Sequence, residues 1–155
     1  MTTDFEDATG LCPVTDQQVS HWARATLRTA AGDANCTLAI RVVDAEEGLA
    51  LNHRFRGKDR PTNVLSFPAD VSIPDGPRML GDLALCYPVI EQEAQMQEKS
   101  IEAHLAHLVV HGILHLLGRD HVSEPEASNM EAEEIGILRE LGYANPYMSE
   151  DEYRT

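Results

Sequence analysis

The chain has 155 residues, of which 43% are hydrophobic and 25% charged, and a formal net charge of −14. Those proportions suit one soluble globular domain over residues 1–155 with a proper buried core. The acidic balance excludes a general nucleic-acid coat protein, which should be basic, and no apolar run approaches the length of a membrane span. The opening MTTDFEDATG lacks the basic-then-apolar layout of a secretory signal. Cys12, Cys36 and Cys86 are odd in number, far apart and form no paired metal motif. Reduced thiols packed as small apolar residues are therefore expected, in a cytoplasmic protein.

In chain order, Thr15 and Gln18 have the spacing of a capping box and predict a helix over residues 16–31. Residues 32–35 form a turn. Residues 36–43 alternate, with Leu38, Ile40 and Val42 on one face, and predict a strand. Asp44 with Glu47 caps a second helix that reaches about Arg56. A polar loop follows over 57–61, then a short apolar strand over 63–67 bounded by Pro61 and Pro68. Residues 70–78, with Pro74, Gly76 and Pro77, read as an exposed loop. A third strand occupies 80–86, broken near its start by Gly81 and Asp82.

Pro88 suits the first turn of a helix running to about residue 99. Ser100 can cap a long apolar helix over 101–117. Ser123 and Glu126 form a further capping box, with Pro125 in the first turn of a last helix that ends near residue 141. The mixture predicts an α+β layer structure in which a small sheet covers the long helix. The order of its strands does not follow from the pattern.

That long helix leads into HGILHLLGRDH at residues 111–121. His111 and His115 lie one turn apart on the same side of a helix. Gly118 stands where a left-handed residue reverses the chain after a helix, which can bring His121 back over the open end. Three neutral imidazoles with one position left open describe a catalytic zinc site. The spacing is that of the zinc-protease signature H-E-x-x-H-x-x-G-x-x-H, but the glutamate that activates the zinc-bound water is replaced by Gly112. Peptide hydrolysis by that route then lacks its general base.

Around the motif, His104 and His107 face the metal side one to two turns earlier. They read as supports for a ligand or as hydrogen-bonded core histidines, with His107 taken as a support. Asp120 either orients a ligand imidazole or is a solvated turn residue. Met130 reads as a core residue of the last helix. Residues 54–60, RFRGKDR, hold four of the twelve basic residues, whereas Val122 to the end has nine acidic residues and two basic ones. One basic patch on an acidic body fits a selective anionic ligand. Arg56, at a helix end, is placed to clamp a phosphate with its planar fork, and Lys58 and Arg60 would be outer backbone contacts.

With both stretches in view, the sequence resembles the YbeY family of bacterial endoribonucleases, the ribosomal RNA maturation factors. FRGKDRPTNVLSFP at 55–68, LGDLALC at 80–86, EAHLAHLVVHG leading into the histidines, HGILHLLGRDH and LGYANPY carry the resemblance. It spans nearly everything after residue 35. It implies an α+β, zincin-like (metalloprotease-like) domain with a mixed sheet beside a central metal-bearing helix. It also implies a zinc-dependent endoribonuclease acting on single-stranded RNA, in maturing small-subunit (16S) ribosomal RNA, especially its 3′ end, and in ribosome quality control. Carried onto this chain, the zinc ligands are His111, His115 and His121, with one ion per chain, and the important arginine is Arg56. The partners implied are ribosomal RNA and the ribosome or its associated proteins, with neither DNA nor membrane. One departure is Asn63, where many relatives have aspartate. Two other readings stand beside this one: a metalloprotease-like hydrolase, and a non-catalytic ribosome-associated module with structural zinc.

Overall fold

A computed structural model describes residues 2–32, 35–57, 62–72, 74, 76–119 and 123–147. Nine elements follow one another among them: β1 (Thr2–Asp7), α1 (Asp16–Ala31), β2 (Cys36–Val43), α2 (Ala45–Arg56), β3 (Val64–Ser72), β4 (Arg78–Cys86), α3 (Tyr87–Met96), α4 (Ile101–Leu116) and α5 (Glu124–Glu140). The helix starts come from their caps. Thr15 and Gln18 close a reciprocal capping box on α1, while Asp44, Ser100 and Ser123 each accept from a first-turn amide of α2, α4 and α5.

The four strands form one mixed sheet in the order β1-β2-β4-β3. β1, β2 and β4 run parallel, and β3 is antiparallel to β4. This is the expected α+β architecture, a small mixed sheet against helices. Leu38, Ile40 and Val42 of β2 pair with Gly81, Leu83 and Leu85 of β4 and share one face. Against the sheet and the other helices lies α4, whose residues Leu105, Ala106, Val109, Val110, Ile113 and Leu114 are at most 1% exposed. A helix apolar on nearly every side belongs in a core. α1, α3 and α5 pack around it. Among the described residues no helix is long and apolar enough to cross a membrane.

Four sequence expectations change. β1 was not foreseen. It holds one large apolar residue, Phe5, and its exposed positions carry Asp4 and Glu6, which suits an edge strand guarded by charge. β3 does not stop at Pro68 but continues to Ser72, so the first three residues of the loop expected over 70–78 are strand. Proline is tolerated because β3 lies at the sheet edge, where a missing N–H need not break a ladder. Gly81, opposite Pro68, does not interrupt β4. Its φ of +134° and the collision that any added Cβ would make with the Phe67 carbonyl leave room only for glycine. The fourth change is smaller: α3 ends at Met96, three residues early.

Candidate metal centre

The histidines of α4 make a ladder. Successive ring centroids of His104, His107, His111 and His115 are 6.2, 6.1 and 4.6 Å apart. Spacings of three and four residues keep them on one side of the helix. At the lower end His104 is buried and its Nε2 lies 2.9 Å from Glu93 Oε1. Burial pushes the His104 pKa below its usual value against the opposing pull of Glu93. Asn63 Nδ2 donates to the same carboxylate at 3.1 Å, and its Oδ1 accepts from Val64 N at 2.7 Å. Asn63 thus ties β3 to α3.

At the upper end the imidazoles meet α5. Met130, Ile137 and Leu138 are the buried face of that helix, and Glu134 sits among them with no exposed surface. Its Oε1 is hydrogen-bonded to His111 Nδ1, and its Oε2 lies 3.1 Å from His107 Nε2 and accepts from the Tyr147 hydroxyl. Burial by itself would raise the Glu134 pKa, but the bonds from His107, His111 and Tyr147 outweigh it and hold the carboxyl down to about 2. The same burial and the neighbouring carboxylate push the Tyr147 hydroxyl up.

On the far side of the His111 ring, its Nε2 and that of His115 are 3.1 Å apart. Two nitrogens on one tetrahedral zinc, each about 2.0–2.1 Å from it, are separated by about 3.3 Å. The pair therefore fits as two ligands of one ion. A second arrangement is present as well: ligand atoms of His107, His111 and Glu134 all lie within 4.8 Å of one another and could hold a metal ion.

The YbeY endoribonuclease family model matches residues 4–142. The chain belongs to the YbeY family. It is 49% identical over 150 residues to the endoribonuclease YbeY of Pseudomonas entomophila, covering 96% of this chain and 94% of that one. It is 54% identical over 133 residues to that of Stenotrophomonas maltophilia, covering 83% and 81%. A solution structure from Thermotoga maritima superposes with a TM-score of 0.58 at 25% identity, covering 90% of this chain and 91% of that chain.

Of the residues singled out in the sequence, His111 and His115 are brought together and His107 stands beside them. His121, Asp120, Lys58 and Arg60 lie outside the described residues. Arg56 is the exposed last residue of α2, where Gly57 turns the chain with a φ of +68°. Met130 is core, as expected of it. Glu134 and Tyr147 were missed. A signal for Glu134 existed, since it falls four residues after Met130 and three before Ile137, on the apolar stripe of its own helix. A carboxylate on such a stripe needs a partner. Tyr147 closes the LGYANPY stretch that carries the resemblance, but nothing in that stretch marked it as a site residue.

Gly112 also has a structural place. A Cβ added there would come within 2.8 Å of Leu83 Cδ2 in β4. The position that is glutamate in the protease signature faces the sheet here.

A cavity of about 440 Å³ lies elsewhere, between α2 and the sheet, lined by Leu51, Phe55 and Phe67 with Glu6, Glu47 and Asp82 among its polar residues. None of the histidines lines it, so its size does not make it the candidate centre.

Proposed function

We propose that this chain is a zinc-dependent endoribonuclease that cuts single-stranded ribosomal RNA, and that it forms one domain over residues 1–155. The observation that carries the reading is the 3.1 Å approach of His111 and His115 Nε2 on a buried helix, in a chain of the YbeY family. His111, His115 and His121 would hold one zinc ion. When bound, it lowers the pKa of a coordinated water or polarises a phosphate oxygen. Arg56 then stabilises the charge that grows on the phosphodiester oxygens, and Lys58 and Arg60 hold the RNA backbone through salt-sensitive contacts. His107 and Asp120 support the ligand imidazoles. The substrate is ribosomal RNA, with 3′-end maturation of the small-subunit (16S) RNA as the main task and ribosome quality control as a second. The work is cytoplasmic and done with the ribosome or its associated proteins.

The metalloprotease reading has ligand spacing in its favour, and Gly112 against it. The position offers no base, and Leu83 occupies the space that a side chain there would take. The reading as a module with structural zinc meets a different objection. The core around α4 is continuous with that of α1, β2 and β4, and this fold does not need an ion to bury its apolar surface.

The distinguishing experiment incubates purified protein with a single-stranded ribosomal RNA fragment and, separately, with an unfolded protein. Both are run before and after chelation and again after zinc is returned. RNA cleavage that disappears on chelation and returns with zinc is expected, with the protein substrate intact. Cleavage of the protein and not the RNA overturns the reading.

A further inference from the structure

In the upper part of the site the carboxylate of Glu134 touches three other side chains, and all three approach it as hydrogen-bond donors must. We infer that Glu134, closed over by Tyr147, is a positioning residue that fixes the ring tautomers of His111 and His107 and so decides which nitrogen His111 presents to a metal. An ionised carboxylate can only accept. Its Oε1 is bonded to His111 Nδ1, which must then carry the ring proton and leave the Nε2 lone pair directed at His115. Its Oε2 is bonded to His107 Nε2 and the Tyr147 hydroxyl, so His107 holds the opposite tautomer, with its proton on Nε2. Adjacent rungs of one helical ladder are thereby held in opposite tautomers by one side chain.

The consequence is a division of labour within the cluster. His111 offers Nε2 outward, toward His115. His107 keeps its donor nitrogen on Glu134 and its Nδ1 buried, so it belongs to the support and not to the ligand set. Glu134 has its oxygens engaged by protons from three residues and acts through His111. This assigns the grouping of His107, His111 and Glu134 to the scaffold of the centre. A metal-ligating imidazole braced at its other nitrogen by a carboxylate is a recurring arrangement, and here the brace comes from a different helix. Tyr147 extends it to a residue beyond those matched by the family model, which end at 142. Its hydroxyl also lies 3.3 Å from His107 Nε2, and its ring stands edge-on to the His107 ring with centroids 5.4 Å apart. The segment after α5 thus fastens onto the site.

The inference rests on the proposed zinc site for only one of its two readouts. The first uses metal-free protein: long-range ¹⁵N–¹H correlations report the tautomer of each histidine ring in wild type, Glu134→Gln and Tyr147→Phe. The wild type should show His111 protonated at Nδ1 and His107 at Nε2. The glutamine amide has one accepting and one donating arm, so one of the two rings must reverse or the two must mix. Tyr147→Phe should keep both tautomers while broadening the His107 signals. The second readout is zinc affinity by competition with a chromophoric chelator. Glu134→Gln is expected to bind about 10- to 100-fold more weakly, and Tyr147→Phe a few-fold more weakly. His111 protonated at Nε2 in the wild type overturns the inference, as do tautomers and affinity both unchanged in Glu134→Gln. A wild type that binds no zinc would defeat the metal site and leave the tautomers to decide this point. Should Glu134→Gln not fold, the wild-type tautomers and the Tyr147→Phe affinity still support or overturn the inference.

Discussion

Gly112 on α4 and Leu83 on β4 are in such close approach that a methyl group on the glycine would lie 2.8 Å from one Leu83 methyl and 3.0 Å from the other. Leu83 is 1% exposed and pairs with Ile40 in the middle of the sheet. This is where the histidine-bearing helix meets the sheet. Gly112→Ala should therefore destabilise the protein by about 1–2 kcal/mol, the overpacking cost less the helix-propensity gain of alanine. Gly112→Glu, which restores the protease signature, should destabilise it more and create no peptidase. Urea unfolding with a peptidase assay checks both; a stable variant that cleaves peptides would contradict the packing role.

Asn63, Glu93 and His104 form the second polar network of the long helix. Asn63 gives Glu93 a donor at 3.1 Å, so Asn63→Asp would set two carboxylates against each other. The expected cost is about 1–3 kcal/mol at neutral pH, shrinking as the solution is made acidic enough to protonate one of them. Equal stability of Asn63→Asp and wild type between neutral pH and about pH 4 would show that the amide donor is not needed.

Buried His104 supplies a pH dependence opposite in sign to that of a histidine whose pKa an acidic partner raises. Its pKa is depressed in the folded state, so the unfolded chain binds the proton more readily. The contribution of neutral His104 is complete above the ordinary value of about 6.5 and is lost as pH falls below it, through the lower folded value. Melting temperature should fall from pH 7.5 to pH 5, and His104→Gln should flatten that slope while melting lower at pH 7.5. An unaltered slope would mean that other groups set it.

Arg56 stands exposed at the end of α2, apart from the residues that pack α4. Arg56→Ala should lower the turnover of RNA by about 10²-fold or more, the scale of losing one donor to a transition-state oxyanion. Zinc content and melting temperature should stay at wild-type values. Loss of zinc in that variant would place Arg56 in the metal scaffold and not in the reaction.

Much of this arrangement was legible in the sequence, for reasons that differ by element. α1, α2, α4 and α5 announce themselves by side-chain caps at Thr15, Asp44, Ser100 and Ser123, which are local rules and need no knowledge of the fold. β2 shows its alternation because one face is buried against helices. β1 was hidden because an edge strand with Asp4 and Glu6 outward carries almost no apolar signal, and the end of β3 because tolerance of Pro68 depends on its being at the edge. The spacing of His111 and His115 fixed their meeting, since a helix imposes it. The contact of Glu134 with His111 and His107 depends on how α5 crosses α4, a tertiary fact that a single helix pattern records only as a carboxylate in an apolar stripe. Tyr147, 13 residues farther on, has no periodicity to betray it.

The measurement to make is cleavage of a single-stranded ribosomal RNA fragment by the wild-type protein and by His115→Ala, prepared identically and both shown to be folded. His115 contributes one of the two nitrogens that face each other at 3.1 Å. Cleavage by the wild type and none by His115→Ala is the expected result. Equal cleavage by both proteins would separate the activity from the histidine centre and contradict the proposed function.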